Sequence, residues 1–360
     1  MYDVAIIGAG PAGATLARLL AGHHRVLLVD KRQLTSPPAG NSSGKCCGAL
    51  LAPDAQAMLS KMGLGLPKSV LVDPQLFVVR AIDVQRHIER YYQRYYINMD
   101  RQRFDSWLLS MIPSDVDMRL GWRFRSYESE TGCFTIRLVK NDMAVAERVR
   151  VLVGADGASS AVRKQALPGD PFPKQYFGVQ EWVEADSKLP YFSTMFDPEI
   201  TDYYCWTIPK ENHLIIGAAL YPRRDTSGRF ELLKSRLREC GLRFGKTIHR
   251  EGAFILRPIS ARQVSTGTKG VALVGEAAGW ISPSSAEGLS YAFKSSLILG
   301  RLLRETLSGF EKRYYLRTIH LRRNIFLKNI KAHFIYNPWL RKMVMSTGIQ
   351  SMEVDKLQST

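Results

Sequence analysis

The chain has 360 residues, 45% hydrophobic and 23% charged, which is enough apolar content for a sizeable core and too much length for one small domain. Its formal net charge of +17 points to anionic partners such as phosphates or acidic lipid headgroups, and without a nucleic-acid-binding signature among the basic residues it disfavours RNA and DNA. Five cysteines without paired C-x-x-C spacing and seven histidines without ligand spacing argue against a disulfide framework or a metal site and for a reducing, cytoplasmic setting; no run reaches the roughly 18 apolar residues of a membrane span.

The first stretch is the most informative. Tyr2 to Ile7 reads as a buried strand, and Gly8-Ala9-Gly10-Pro11-Ala12-Gly13 fits G-x-G-x-x-G. Ala14 to Ala21 reads as a helix, and Arg25 to Val29 as a second strand ending on Asp30. This is a complete βαβ dinucleotide fingerprint. Gly8 allows the tight turn, Gly10 lets the backbone approach a pyrophosphate, and Gly13 lets helix and strand pack closely. The helix N-terminus offers its unpaired N–H groups to phosphate. Asp30 suits the adenosine ribose hydroxyls, so the expected set is Gly8, Gly10, Pro11, Ala12, Gly13, Asp30 and Lys31.

Residues 35–44 read as a loop leading into Lys45-Cys46-Cys47-Gly48, and Pro53 to Met62 as a helix. Strands are expected at Phe77–Val84 and in the tyrosine-rich Tyr91–Ile97, then a helix at Phe104–Leu109 after Asp100-Arg101. Val116 to Val145 suggests two or three antiparallel strands. Another apolar strand, Val149–Val153, runs into Gly154-Ala155-Asp156-Gly157, with a short helix from Ser159 to Lys164. Asp156 fits either a site near the pyrophosphate or the cap of that helix. Between Tyr176 and Phe254 the strands Gly178–Val183, Asp202–Ile208 and Leu214–Gly217 are interrupted by one helix, Phe230–Cys240. A strand at Gly270–Val274 reaches Gly275-Glu276, and Leu289 to Met345 is mostly helical.

Three segments resemble the geranylgeranyl reductase family, within the flavoprotein monooxygenase superfamily. Lys45-Cys46-Cys47-Gly48 is similar to its K-x-C-G segment. Tyr204-Cys205-Trp206-Thr207-Ile208-Pro209-Lys210 is similar to Y-x-W-x-F-P-K, with Ile208 in place of Phe. Gly275-Glu276-Ala277-Ala278-Gly279 through Ser282-Pro283 to Glu287-Gly288-Leu289 is similar to G-D-A-A-G…S-P…E-G, with Glu276 in place of Asp. The resemblance implies an α/β fold: a Rossmann-type FAD-binding domain of the p-hydroxybenzoate hydroxylase-like kind at 1–73, 98–174 and 262–310, a sheet-rich substrate domain at 74–97 and 175–261, and a helical C-terminal segment at 311–360. It implies FAD as cofactor, with Lys45, Arg101, Asp156, Glu276, Pro283, Gly288 and Leu289 added to the cofactor set. Arg101 lies in a segment similar to the family's R-x-x-F-D and could pair with phosphate. Glu276 would accept from the ribityl hydroxyls, and the helix start at Gly288 would favour the reduced, anionic flavin.

The resemblance also implies reduction of carbon–carbon double bonds in an apolar, isoprenoid substrate. Cys47 is the candidate catalytic thiol, since a neighbouring cation can activate a thiol, and buried packing is its bland alternative. Tyr204 and Trp206 alternate on one strand and are expected to line an apolar slot or fill sheet core. No second dinucleotide fingerprint appears, so the electron donor stays open between NAD(P)H, a ferredoxin and a quinol. An aromatic monooxygenase or a halogenase is the rival on the same scaffold. Trp206-Thr207-Ile208-Pro209 overlaps half of the halogenase W-x-W-x-I-P motif, but Tyr204 replaces its first Trp. A non-catalytic, FAD-holding membrane-surface protein is the other rival. The basic C-terminal helices, with Arg301, Arg304, Arg313, Arg317, Arg322, Arg323, Lys328 and Lys331 among Leu302, Leu303, Tyr314, Tyr315, Leu316, Ile325, Phe326 and Leu327, are expected either to meet an anionic membrane on its cytoplasmic face or to cap the FAD domain.

Overall fold

The computed structural model describes residues 1–33, 46–185, 189–222 and 225–354. The chain opens with β1 (Tyr2–Ile7), α1 (Pro11–Leu20) and β2 (Val26–Asp30). Pro11 occupies the first turn of α1, where a missing N–H costs nothing. There follow β3 (Leu50–Leu51), α2 (Pro53–Lys61), β4 (Leu76–Asp83), β5 (Ile88–Asn98) and α3 (Arg101–Ser110). The last begins three residues before the Phe104 start expected from sequence, because the Asp100 carboxylate accepts from Arg103 N and caps it. Next come β6 (Asp117–Leu120), β7 (Arg123–Glu130), β8 (Cys133–Lys140), β9 (Met143–Gly154) and α4 (Ala161–Ala166).

Four of these strands and one more build the parallel part of the first sheet. Its order is β15-β16-β9-β1-β2-β6, where β15 (Gly267–Thr268) and β16 (Val271–Leu273) come late in the chain. β1 is flanked by parallel β2 and β9, and its interior residues Val4 to Ile6 have no exposed surface, as expected of a strand covered on both faces. In the block from 116 to 145 the expected antiparallel strands are β7, β8 and the start of β9, and β6 is a further strand that joins β2 in parallel. α1 packs on α6 (Leu289–Glu305), where Gly300 lies against Leu19.

The second sheet takes β10 (Lys174–Glu184), β11 (Tyr191–Phe196), β12 (Cys205–Lys210), β13 (His213–Leu220) and β14 (Thr247–Arg257), with α5 (Thr226–Glu239) between the last two. Its order is β14-β10-β13-β12-β11-β4-β5-β17, and β17 (Ser351–Met352) is a C-terminal strand that sequence reading missed. β12 starts three residues later than expected, because the segment before it turns: Thr201 Oγ1 donates to Ala219 O, and Tyr203 N donates to Thr201 Oγ1 at 3.1 Å. The period of two sorts its side chains by face. Val179, Val183, Cys205, Ile216 and Ala218 pack with Phe230, Leu233 and Leu237 of α5. Tyr176, Trp206, Ile208 and Ile215 lie on the opposite face, with Leu50 of β3, which pairs with β5, and Ala286 from the loop before α6 packed against them. We call this contact between the two units the seam.

The C-terminal helices α7 (Phe310–Arg317), α8 (Ile319–Tyr336) and α9 (Pro338–Ser346) tie onto both units. Tyr314 of α7 donates to Leu273 O at 3.0 Å. Arg341 of α9 forms a buried pair with Asp83 of β4 at 2.7 Å. Among the described residues no helix is long and apolar enough to cross a membrane.

Candidate functional site

The glycine turn after β1 separates two kinds of need. Gly8 has φ +108, and a Cβ there would lie 2.4 Å from Ala155 O; one on Gly13 would lie 1.8 Å from Gly8 O. Both glycines are demanded by the chain's own backbone. A Cβ on Gly10 would meet no protein atom within 4 Å, so packing does not require that glycine. The first turn of α1 holds no acidic side chain, which leaves its N–H end available to an anion. Gly275 approaches this point from the other side, where its Cβ would lie 3.0 Å from that of Ala12. An open glycine face at a helix N-terminus, walled by a second glycine turn, fits a pyrophosphate.

Asp30 sits at the end of β2, and its carboxylate is in use. Oδ2 accepts from Ala9 N at 2.7 Å and Arg32 Nη2 at 3.0 Å; Oδ1 accepts from Arg32 N at 2.8 Å and Arg32 Nε at 3.1 Å. Burial alone would raise this carboxyl, but the Arg32 contacts outweigh it and hold it below the ordinary range. A ribose hydroxyl must therefore compete with Arg32 for Asp30. Lys31, expected to help, is exposed. Lys45 lies outside the described residues.

From Arg32 an ion network runs across α3 to the thiol. Arg32 Nη1 lies 3.3 Å from Asp105 Oδ2, and Arg101 Nε lies 2.8 Å from Asp105 Oδ1. Arg101 Nη1 then donates to Cys47 Sγ at 3.4 Å. Burial works against the Arg101 charge, but Asp105 and then Cys47 hold its guanidinium above the ordinary value. In this structure Arg101 faces the thiol, not a surface. Cys47 accepts a second N–H, from Ala49, at 3.4 Å. Its carbonyl accepts from Gln180 Nε2 of β10 at 3.4 Å, and a Cβ on Gly48 would meet Ile208 Cδ1 at 2.4 Å. The Cys47–Gly48 turn is thus pressed into the seam. None of the five cysteines is in a disulfide, and among the described residues no cluster of His, Cys, Asp or Glu is arranged to hold a metal.

Tyr204 and Trp206 do share a face of the second sheet, with ring centroids 5.5 Å apart. Trp206 is buried and lies across Gly217, whose Cβ would sit 2.2 Å from the indole. Tyr204 is half-buried and donates to Ser285 O at 3.1 Å. Two further tyrosines grip the same loop: Ala286 N donates to Tyr203 Oη at 3.1 Å, and Tyr336 of α8 donates to Ser284 O at 2.9 Å. This tyrosine clamp, which sequence reading missed, holds the segment containing Pro283 ahead of α6. Gly288 is the N-cap of α6 and Leu289 its first residue. Pro283 is buried.

Glu276 lies in the short turn Gly275–Ala278, and its Oε1 accepts from Leu256 N of β14 at 3.2 Å. The carboxylate therefore also bridges to the second sheet, which the longer side chain allows. Arg163 braces the turn from beneath, donating to Ala277 O at 3.3 Å and Gln263 O at 2.7 Å; burial depresses it to about 10. Asp156 supports the start of α4, whose N-cap is Ser160: its carboxylate accepts from Ser160 Oγ, from Ala161 N at 2.7 Å and from Val162 N at 3.3 Å, and burial still pushes it above the ordinary carboxyl value. Its backbone lies against Gly8.

Several expected members of the basic C-terminal face are packed instead. Leu302, Leu303, Tyr314 and Ile325 are buried. Arg322 donates to Val264 O at 2.7 Å and stacks on Tyr315 and Trp280, and Arg313 pairs with Glu305 at 2.9 Å.

The fold and this glycine cradle define an FAD-dependent oxidoreductase, and a family model described as FAD dependent oxidoreductase matches residues 3–110. Over 348 residues, 97% of each chain, the sequence is 38% identical to Protein CbrA of Escherichia coli strain K12. The chain belongs to the CbrA family of FAD-dependent oxidoreductases. Its fold is shared by a geranylgeranyl bacteriochlorophyll reductase-like protein of Thermoplasma acidophilum, with TM-score 0.79 and 19% identity over 95% of this chain and 90% of that one. It is also shared by PqsL of Pseudomonas aeruginosa, a probable FAD-dependent monooxygenase, with TM-score 0.67 and 19% identity over 97% and 99% of the two chains.

Proposed function

We propose that the chain reduces carbon–carbon double bonds of an apolar, isoprenoid-like substrate at the seam. The observation that carries this reading is the position of Cys47: its sulfur accepts from Arg101 on one side, and its turn presses on Ile208 in the aromatic face of the second sheet. FAD, when bound, supplies the hydride for one alkene carbon. The chain's residues supply the rest. Tyr204 and Trp206 offer apolar surface to a prenyl chain. Cys47 Sγ gives the proton to the other carbon, so that one hydride and one proton saturate the bond, and Arg101 neutralises the sulfur left behind. Gly8, Gly10, Gly13, Asp30, Glu276 and the start of α6 hold the cofactor. The test is anaerobic: the FAD-reduced protein is mixed with isoprenoid alkenes, flavin reoxidation is followed, and the product is weighed. Saturated product without oxygen supports the reading; product that forms only with oxygen assigns the chain to the monooxygenase or halogenase chemistry, and no reoxidation assigns it to a non-catalytic role.

The same reading places the protein at an anionic bilayer surface, where such substrates reside. The support is a stripe on α8: Phe326, Leu327, Ile330 and Phe334 are exposed at helical spacing, and Trp339 and Met343 on α9 are exposed as well. Arg317 at the end of α7, Arg323 on α8 and Lys342 on α9 are exposed as well. Each such cation contributes about 1 kcal/mol near an anionic surface. Vesicles containing phosphatidylserine should retain the protein at low salt and release it at high salt. Retention should fall when Arg317, Arg323 and Lys342 are changed to Glu; a wild type that ignores these vesicles removes the membrane from the account.

A further inference from the structure

Lys210, the last residue of β12, is buried at 3% exposure. Its ammonium donates to Asn98 Oδ1 at 2.6 Å, Met99 O at 2.7 Å and Ala49 O at 3.3 Å. These acceptors come from the end of β5, the residue leading into α3, and the turn after Cys47. None of them is a carboxylate, and buried charges are usually paired. Asn98 is itself fixed, donating to Pro74 O at 3.0 Å and Pro209 O at 2.8 Å.

Two of the three acceptors lead to the thiol. Met99 lies two residues before Arg101, which donates to Cys47 Sγ. Ala49 is held with φ +49, a left-handed backbone that a residue with a Cβ adopts at a cost, and its own N–H points at Cys47 Sγ. Both N–H donors on the sulfur therefore stand on backbone that Lys210 grips.

We infer that Lys210 is a positioning residue for Cys47: its ammonium fixes the Ala49 and Met99 carbonyls, and its protonation state sets how firmly the sulfur is held. The inference rests on Cys47 being the thiol of the site, but it concerns the thiol's setting rather than turnover. An ammonium has three N–H donors and these three acceptors use all of them; a neutral amine has two. The contact to Ala49, the longest, is the first to go when the proton leaves; Ala49 O then keeps only Met99 N, at 3.1 Å, and the hold on the Ala49 N–H at the sulfur loosens. Burial depresses Lys210 to about 7, with Cys47 and Asp100 acting in the opposite direction. The charged and titratable groups around it are Asp100 at the cap of α3, the Cys47 thiol and, beyond the sulfur, Arg101. His213, its partner in the β12–β13 hairpin, packs on Trp182.

The test is the rate of Cys47 alkylation by iodoacetamide against pH, read by peptide mass spectrometry on the full chain with FAD bound. The thiol's own ionisation contributes to the profile of every variant. The wild type should show a second break near neutrality, with Cys47 more reactive above it. Lys210→Met should lose that break and react at the faster, unlatched rate. Lys210→Arg, which stays charged, should lose the break but keep the slower, held rate. Should Lys210→Met fail to fold, Asn98→Asp retains the lysine and sets a carboxylate against it, which should move the break to higher pH. A wild-type profile with no second break, or a break unmoved by both Lys210→Met and Asn98→Asp, overturns the inference.

Discussion

The glycine cradle and the thiol seam are joined by one ion network, from Asp30 through Arg32, Asp105 and Arg101 to Cys47, yet they are made differently. The cradle is local. Within six residues Gly8 and Gly13 satisfy the backbone's own contacts, and Gly10 leaves room for something outside the protein. The seam is non-local. Cys47, the Asn98–Arg101 segment, Gln180 and Lys210 come from four separate stretches and meet only in the folded chain. A site built locally is stiff because of steric exclusion. A site built non-locally is held by partnered polar groups, and each of those is costly to leave unpaired once buried.

The sharpest way to break the seam is therefore to remove a shared carboxylate. Asp105, 2% exposed, faces both Arg32 and Arg101. Asp105→Asn leaves buried Arg101 without its carboxylate partner and Arg32 with Asp30 alone, and should cost about 3–5 kcal/mol, measured by urea unfolding. A cost below about 1 kcal/mol, the size of a surface pair, would mean the network is not a unit.

The cradle should respond with a smaller effect that divides by position. Gly13→Ala forces its Cβ onto Gly8 O and should destabilise by about 1–3 kcal/mol, as overpacking does. Gly10→Ala should leave unfolding unchanged, since its Cβ meets no protein atom, while weakening FAD retention through gel filtration. Equal stability losses at the two positions would erase the distinction between structural and ligand-facing glycines.

The tyrosine clamp should give a smaller loss of stability than either Asp105→Asn or Gly13→Ala. Tyr336→Phe removes one donor from Ser284 O and should cost about 0.5–1.5 kcal/mol. It should also loosen the loop before α6, seen as faster amide exchange at Ser285 and Ala286 than in the wild type. Unchanged exchange would reduce Tyr336 to ring packing on Tyr203.

The same contrast explains what could be read from the sequence. The βαβ unit was legible because strand, glycine turn, helix and acid occur within thirty residues, each with a local physical signature. The second sheet was legible as alternating strands, and α2, β4 and β5 fall close to their expected bounds. Arg32 was missed because it is one basic residue in Asp30-Lys31-Arg32, and nothing local says that it turns back onto the acid. Lys210 was legible only as the end of a motif; its burial depends on Asn98, more than a hundred residues away. Arg322 looked like a surface cation and instead packs against Trp280, because helical spacing alone does not say which side faces the core. β17 was too short to carry a period.

In the proposed reaction the cradle would hold the cofactor while the seam does the chemistry. The most direct measurement compares wild type with Cys47→Ser for two quantities in the same preparation: FAD bound per chain, and the anaerobic rate at which an isoprenoid alkene reoxidises the reduced flavin. The expected result is equal FAD content and a reoxidation rate lowered at least several-fold in Cys47→Ser. Equal rates in the two proteins, with equal FAD, would contradict it and leave Cys47 as packing in the seam.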